Sequence, residues 1–325
     1  MDICLTFDYE LFFGTETGSV EKCLLEPTEE LLSLSDALGV PFTFFIDVGY
    51  LLRLNEIAAS SPRLKKDEQK VHAQLRRIKD GGHSLQLHVH PHWEKATFTG
   101  EKWEIHPNKC YKLSDFSQNE ARTILTRYKF FLEELLGIEV KAYRAGGWCI
   151  QPFQQVAEIF KDLGLYIDSS VMPGMRFESA HYSFNFKEAP AKCPYYFEND
   201  VCRQDSEGTF LEYSITTRRY SPFFFWRLYL LGRIFPTKHR MWGDGNFIPQ
   251  PGVKKKSLMQ AVRHHVSTDG YFASVLNQSL TEQKEIGNEC LVTIGHPKSL
   301  TRYSLGKLRE FIHANHTKHR FISLS

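Results

Sequence analysis

Five short strand-like runs in this 325-residue chain each lead into a polar residue capable of chemistry, and helical stretches lie between them. Ile3 to Phe7 leads into Asp8, Ser84 to Leu87 into His88, Val140 to Tyr143 into Arg144, Leu165 to Ile167 into Asp168, and Cys290 to Ile294, past one glycine, into His296. A further run, Phe42 to Ile46, is nearly all apolar, as expected of a strand covered on both faces. The helices carry their own punctuation. Pro27 opens one, with Glu29 and Glu30 in its first turn and a stripe of Leu31, Leu32, Leu34 and Leu38 before Gly39 stops it. A charged helix runs from about Pro62 to Lys79, and Ser117-Gln118-Asn119-Glu120 is a capping box for a helix reaching Leu136. Pro152 opens another that Gly164 ends. Strand-helix alternation predicts a parallel α/β sheet, and the length with a late strand, Phe321 to Leu324, favours a (β/α) barrel over an open sheet. In barrels catalytic groups gather at the C-terminal strand ends, where these polar residues fall.

The densest cluster is Gly81 to Trp93, GGHSLQLHVHPHW, with four of the 14 histidines. Ser84 to Leu87 alternates polar and apolar, so a strand delivers His88 to a turn at Pro91. His88 and His92, four apart in a tight turn, are spaced to converge on one metal ion, and imidazole suits borderline-soft divalent metals. His83 and His90 are harder to place, and a polar loop rich in histidine is the simpler alternative.

Bulk properties narrow the class. Hydrophobic content of 42% and charged content of 24% are those of a globular chain with a large core. A formal charge of +2 argues against nucleic acid as the principal partner. Seven scattered cysteines without a CxxC pair fit reduced thiols in a cytosolic protein. The start, Met1 to Phe7, shows no signal-peptide pattern, and no stretch reaches the ~20 apolar residues of a membrane span. The expectation is a cytoplasmic protein. Pro222 to Phe235, PFFFWRLYLLGRIF, interrupted by Arg227 and Arg233, could lie in a membrane interface or pack on the barrel over the site. A polar loop over 94–116 is long enough to belong to a binding site. From about 175 to 285 the alternation blurs into an irregular insertion, with a strand at Phe210 to Ile215 and helical signals near Lys255 to Val266. Lys254, Lys255 and Lys256, and the histidines 264, 265, 313, 316 and 319, read as surface.

A carboxylate pair, metal-spaced histidines, an arginine and a late histidine make a kit for metal-assisted amide hydrolysis. The motif order resembles that of the NodB-like polysaccharide deacetylases, a carbohydrate esterase family with a distorted (β/α) barrel. Thr6-Phe7-Asp8-Tyr9-Glu10 is similar to the family's TFDD motif. Gly82-His83 with His88-Val89-His90-Pro91-His92 matches the spacing of its GHxxxxH(S/T)xxH motif. Pro41-Phe42-Thr43-Phe44-Phe45 looks like its second strand, Arg144 heads a version of its third motif, Asp168-Ser169-Ser170 falls where the fourth lies, and Ile294-Gly295-His296 is similar to the closing LxH. The resemblance covers most of the chain outside about 175–285.

The resemblance implies Asp8 as base, oriented by Arg144, His296 as general acid to the leaving amine, and Asp168 in support of His296 or the site. It implies one divalent metal ion, zinc by default, with iron, cobalt or manganese as alternatives. Tyr9 stands where the family usually has a ligand Asp. Residues 8 and 10 of a strand point to one side, so Glu10 is expected as third ligand beside His88 and His92, with exchange of roles between Asp8 and Glu10 left open. His90 is a substitute ligand or a neighbour, and His83 a structural residue. Gly146 and Gly147 allow close approach of a ligand to backbone, and Trp148 and Trp93 are expected to meet the sugar. The function implied is removal of N-acetyl from an N-acetylated sugar in a glycan or a lipid- or nucleotide-linked precursor, in one barrel domain. The alternatives are a same-fold amidohydrolase for a small non-sugar amide and an inactive glycan-binding barrel.

Overall fold

The computed structural model describes residues 1–106, 110–179 and 182–325. The loop expected over 94–116 therefore includes three residues outside the described ones. The central sheet contains β1 (Asp2–Tyr9), β2 (Thr43–Asp47), β3 (Ser84–Val89), β4 (Ala142–Ala145), β5 (Ile167–Asp168), β6 (Tyr195–Phe197), β7 (Phe210–Glu212), β10 (Cys290–Gly295) and β11 (Arg320–Ile322). An antiparallel pair, β8 (Thr217–Tyr220) and β9 (Val262–His265), lies outside it. The order across the sheet is β6-β7-β5-β4-β3-β2-β1-β10, and β11 pairs with the start of β1. All pairings are parallel except β6 with β7. Past β7 the chain bonds along β5 through Tyr213, and Thr216 N–H then donates to the Val292 carbonyl of β10 at 2.9 Å. Ser267 bridges Ile294 in parallel. These contacts curl the sheet into the distorted barrel expected of the deacetylase type.

The helices follow the punctuation. α1 (Glu26–Leu38) ends on left-handed Gly39, and α2 (Val48–Ala58) and α3 (Pro62–Asp80) follow β2. α4 (Gln118–Leu136) starts at the reciprocal Ser117–Glu120 box, and α5 (Ala157–Leu163) ends on Gly164. They bury leucines and isoleucines against strands β1 to β4, whose residues are almost all buried.

The segment 175–285 departs from the expectation of an insertion alone. It supplies β6 and β7 to the main sheet, then α6 (Pro222–Ile234) and α7 (Val253–Met259). The helical signal near Lys255 to Val266 covers two elements, because from Val262 the chain pairs with Thr217–Tyr220 and is extended. Two further helices, α8 (Leu276–Glu285) and α9 (Arg302–Asn315), complete the outer layer.

Candidate active site

β1 sits between β2 and β10 and projects Asp8 and Glu10 to the same side, while Tyr9 turns away and donates to Gln74 at 2.9 Å. The two carboxylates have different partners. Asp8 Oδ1 accepts from Arg144 Nη1 at 2.6 Å, and Arg144 is locked by donating Nε and Nη2 to the Ser169 carbonyl and hydroxyl, both at 2.8 Å. Its guanidinium also lies 4.0 Å from the Phe45 ring centre. The arginine thus holds Asp8 in place through a charge-assisted pair.

Glu10 faces histidines. Its Oε2 lies 3.0 Å from His88 Nε2 and 2.7 Å from His90 Nε2, and those nitrogens are 3.1 Å apart. One ligand atom from each of Glu10, His88 and His90 lies within 4.8 Å of the others, and all three side chains are buried. The donor chemistry fits a cation. His88 Nδ1 is 2.9 Å from the Arg144 carbonyl, which needs the Nδ1 proton. In a neutral ring Nε2 then presents a lone pair to a carboxylate oxygen and to a second imidazole. Three electron-rich atoms at such range require a proton or metal ion between them. Without a metal, proton uptake answers this: burial opposes it, but Asp8 and Glu10 push His88 up to about 9. Burial holds His90 down to about 4. Glu10 lies well below the usual carboxylate range, since Lys298 and His90 outweigh the burial that works against its charge.

His92, expected as a ligand, is not in this trio. β3 runs extended through His90 before the 3-10 turn Pro91–Lys95, so His88 and His90, two apart, share a face. His92 falls in the turn, fully buried between Phe13, Trp93 and Tyr111, and neither of its ring nitrogens has a hydrogen-bond partner among the described residues. Trp93 is likewise core rather than a sugar platform, since it has 0% exposure and donates Nε1 to Asp47 at 2.6 Å. Burial pushes Asp47 up to about 8. His83 is structural as expected: its Nδ1 accepts from Phe42 N–H at 3.0 Å.

His296 closes the site at the end of β10, its Nε2 3.8 Å from Asp8 Oδ2 and 3.7 Å from Glu10 Oε1. Its partner is Asp269, not Asp168. Asp269 Oδ2 is 2.8 Å from His296 Nδ1, and its Oδ1 accepts from the His296 backbone N–H at 2.8 Å. Burial lowers the His296 pKa, but Asp269 more than offsets this and raises it. Asp168 instead accepts from Ser170 Oγ at 2.7 Å, and Ser170 Oγ in turn accepts from Ala145 N–H. The β5 and β7 register places Asp168 opposite Glu212. Both acids are raised by burial, Glu212 further by Asp168, so the pair is best satisfied sharing one proton. It buttresses the strand carrying Arg144 and lies outside the cavity.

Lys298, which sequence reading passed over, is buried and donates to Glu10 Oε1 at 2.8 Å and to the Leu11 carbonyl at 2.5 Å. Its clue was position, two residues past His296 in the Pro297–Ser299 turn. His264 and His265, expected at the surface, are partly buried on β9 and line the cavity, with His265 against Trp148. The cavity above the carboxylates is about 680 Å³ and is walled by Phe13, Tyr111, Trp148, Tyr182, Tyr229 and Phe272. Gly146 and Gly147 let the turn after β4 pass close: a Cβ on Gly146 would stand 2.5 Å from His90 Nδ1, and Gly147 has φ of 58°. Trp148 follows at φ 60° and borders the cavity.

The cavity thus lies at the C-terminal ends of a curled parallel sheet, floored by Asp8 and Glu10 and flanked by Arg144 and His296. Solved structures share this fold. A protein from Mycobacterium smegmatis provisionally assigned as a polysaccharide deacetylase superposes over 98% of this chain and 85% of its own, at 18% identity and a TM-score of 0.50. Puue allantoinase matches over 99% of this chain and 86% of its own, at 12% identity and a TM-score of 0.52. The 4-alpha-glucanotransferase of Thermococcus litoralis matches over 99% of this chain and 39% of its own, at 14% and 0.52. By sequence, no family profile and no curated protein matches.

Proposed function

We propose that the chain is a metal-dependent hydrolase that removes N-acetyl groups from an N-acetylated sugar in a glycan or a glycan precursor. The observation that carries this reading is the pair of opposed arms over one centre. Asp8, held by Arg144, and His296, held by Asp269, both face the Glu10, His88 and His90 trio on the cavity floor. Glu10, His88 and His90 would hold one divalent ion, zinc by ligand type, with iron, cobalt or manganese also accommodated. When bound, the ion supplies charge that polarises the amide carbonyl and acidifies water. Asp8 takes the proton of the attacking water, and Arg144 fixes that carboxylate toward it. His296 gives a proton to the leaving nitrogen, and Asp269, by raising its pKa, favours the protonated ring that this role needs. Trp148, at the border of the cavity, offers a face for the sugar.

The aromatic cavity of about 680 Å³ suits a sugar with its aglycone better than a small ureide. Cytoplasmic action is part of the reading and is supported by seven cysteines free of disulfides. The chain is read as one barrel domain, supported by the contribution of residues 175–285 to the main sheet. The test is acetate release from N-acetylated amino sugars, with small ureides alongside and Asp8→Asn as control. Hydrolysis of ureides alone would move the assignment to a small-amide hydrolase, and ligand binding without hydrolysis under any metal would leave a glycan-binding barrel.

A further inference from the structure

The outer face of α6 is unlike the rest of the surface. Phe223, Trp226, Leu230 and Ile234 recur at three- and four-residue steps on one side of the helix and are 55% to 66% exposed. Phe235 at the helix end and Met259 at the end of α7 are also exposed, and the Trp226 indole N–H reaches the Leu258 carbonyl of α7. Among the described residues, no helix is long and apolar enough to cross a membrane. The opposite side of α6 faces inward: Leu228, Tyr229 and Gly232 line the cavity. A single helix therefore separates the catalytic cavity from a stripe of protruding apolar side chains.

Charge is concentrated in the same region. Residues 216–263 carry ten lysines and arginines and a single acid, Asp244, whereas the whole chain is only +2, so the remainder is net acidic. Arg219, Arg227, Arg233, Lys238, Arg240 and Lys256 of this region are all exposed.

We propose that this face docks on an anionic lipid bilayer, with α6 lying in the headgroup layer, and that the substrate of the proposed deacetylase is a sugar carried on a membrane-anchored lipid. The substrate part rests on the deacetylase reading, while the docking part does not. Aromatic and aliphatic side chains beside arginines and lysines match an interfacial helix, with apolar groups entering the acyl boundary and cations meeting anionic headgroups. A second copy of this chain is a poor occupant, because a two-fold contact would set the cationic patches against each other. Nucleic acid is also disfavoured, since Leu230, Ile234 and Met259, interleaved with Phe223, Trp226 and Phe235, would stay in water beside a sugar-phosphate backbone. Once docked, the cavity stands one helix thickness from the lipid.

Flotation of the full chain with vesicles of phosphatidylcholine, alone or with roughly a third phosphatidylglycerol, tests this. The expected result is flotation with the anionic vesicles, weakened by salt, with a blue shift of Trp emission that Trp226→Phe diminishes. The combined variant Phe223→Ser, Trp226→Ser and Leu230→Ser, which spares the cavity lining, should bind the same vesicles at least about tenfold less. It should still hydrolyse a soluble acetylated sugar, and its circular dichroism should be unchanged. Wild type left in the soluble fraction with both vesicle types overturns the proposal. So does a concentration-dependent dimer or RNA binding that the triple variant abolishes while vesicles are ignored. Flotation without hydrolysis of any acetylated sugar leaves the docking standing and removes the deacetylase reading. Hydrolysis without flotation does the reverse.

Discussion

Replacing His90 and His92 in turn by leucine separates the ligand from its neighbour. Zinc held by protein donors is worth ~10–16 kcal/mol in structural sites, or ~3 kcal/mol for each of four ligands, so His90→Leu should weaken metal binding by about 100-fold or more. His92 enters the balance differently. Burial drives its pKa well below the usual imidazole value, and neither ring nitrogen has a partner among the described residues. An unsatisfied buried polar group costs ~1–3 kcal/mol, so a leucine of similar size should leave the fold as stable or more stable. His92→Leu should therefore keep metal affinity within a factor of about three of wild type. The assay is zinc competition against a chromophoric chelator, with melting temperatures for each variant in chelator alone. Loss of metal by His92→Leu with retention by His90→Leu would refute the reasoning and return the ligand set to His88 and His92.

Asp269→Asn, which removes a charged partner at 2.8 Å from His296, should lower kcat by about 10- to 100-fold from the ~1.5–3 kcal/mol of a charge-assisted bond, and should move the basic limb of the kcat profile to lower pH. An unchanged limb, or the same shift in Asp168→Asn, would count against the assignment. Lys298→Met strands Glu10 and should destabilise metal-free protein by ~3 kcal/mol in urea unfolding, with part of the loss restored by zinc. Equal destabilisation with and without zinc would contradict that. Metal-free His88 stays protonated up to about 9, above its unfolded value, so this ring stabilises the metal-free fold at low pH and the benefit is lost as pH rises through about 9. Zinc uptake at neutral pH should consequently release about one proton, seen by calorimetry in buffers of different ionisation enthalpy, and its affinity should climb toward pH 9. Uptake without proton release would show that His88 is already neutral.

Sequence patterning was sufficient to place Asp8, His88, Arg144 and His296 at strand ends, because each follows a strand-like run, while Glu10 follows from the two-residue rule and β6 lies in the stretch where the alternation blurs. It failed where the answer depended on which residues face one another across the fold. The spacing of four drew attention to His92, although the two-residue rule that paired Asp8 with Glu10 applies equally to His88 and His90 on an extended strand. Asp168 and Asp269 both follow strand-like runs near the right place. Only the β5 and β7 register, which sets Asp168 against Glu212, and the approach of residues 266–269 to β10 decide between them. No periodicity encodes either. The cavity wall of α6 and β9 was obscured because its apolar residues face both the pocket and the outside, which erases the one-sided stripe on which helix reading depends.

The position of β1 sets an order of events during synthesis. Glu10, His88 and His90 are synthesised well before β10 and β11, so β1 acquires those neighbours only when residues 290 and 320 arrive. His296 and Lys298 come with that later portion. A nascent or truncated chain would leave Glu10 at the end of a strand with an open edge, lacking the lysine that pairs with it. Strand β10 acts as a check on assembly: the cluster around Glu10 gains His296 and the charge of Lys298 only once residues 290–298 have joined β1.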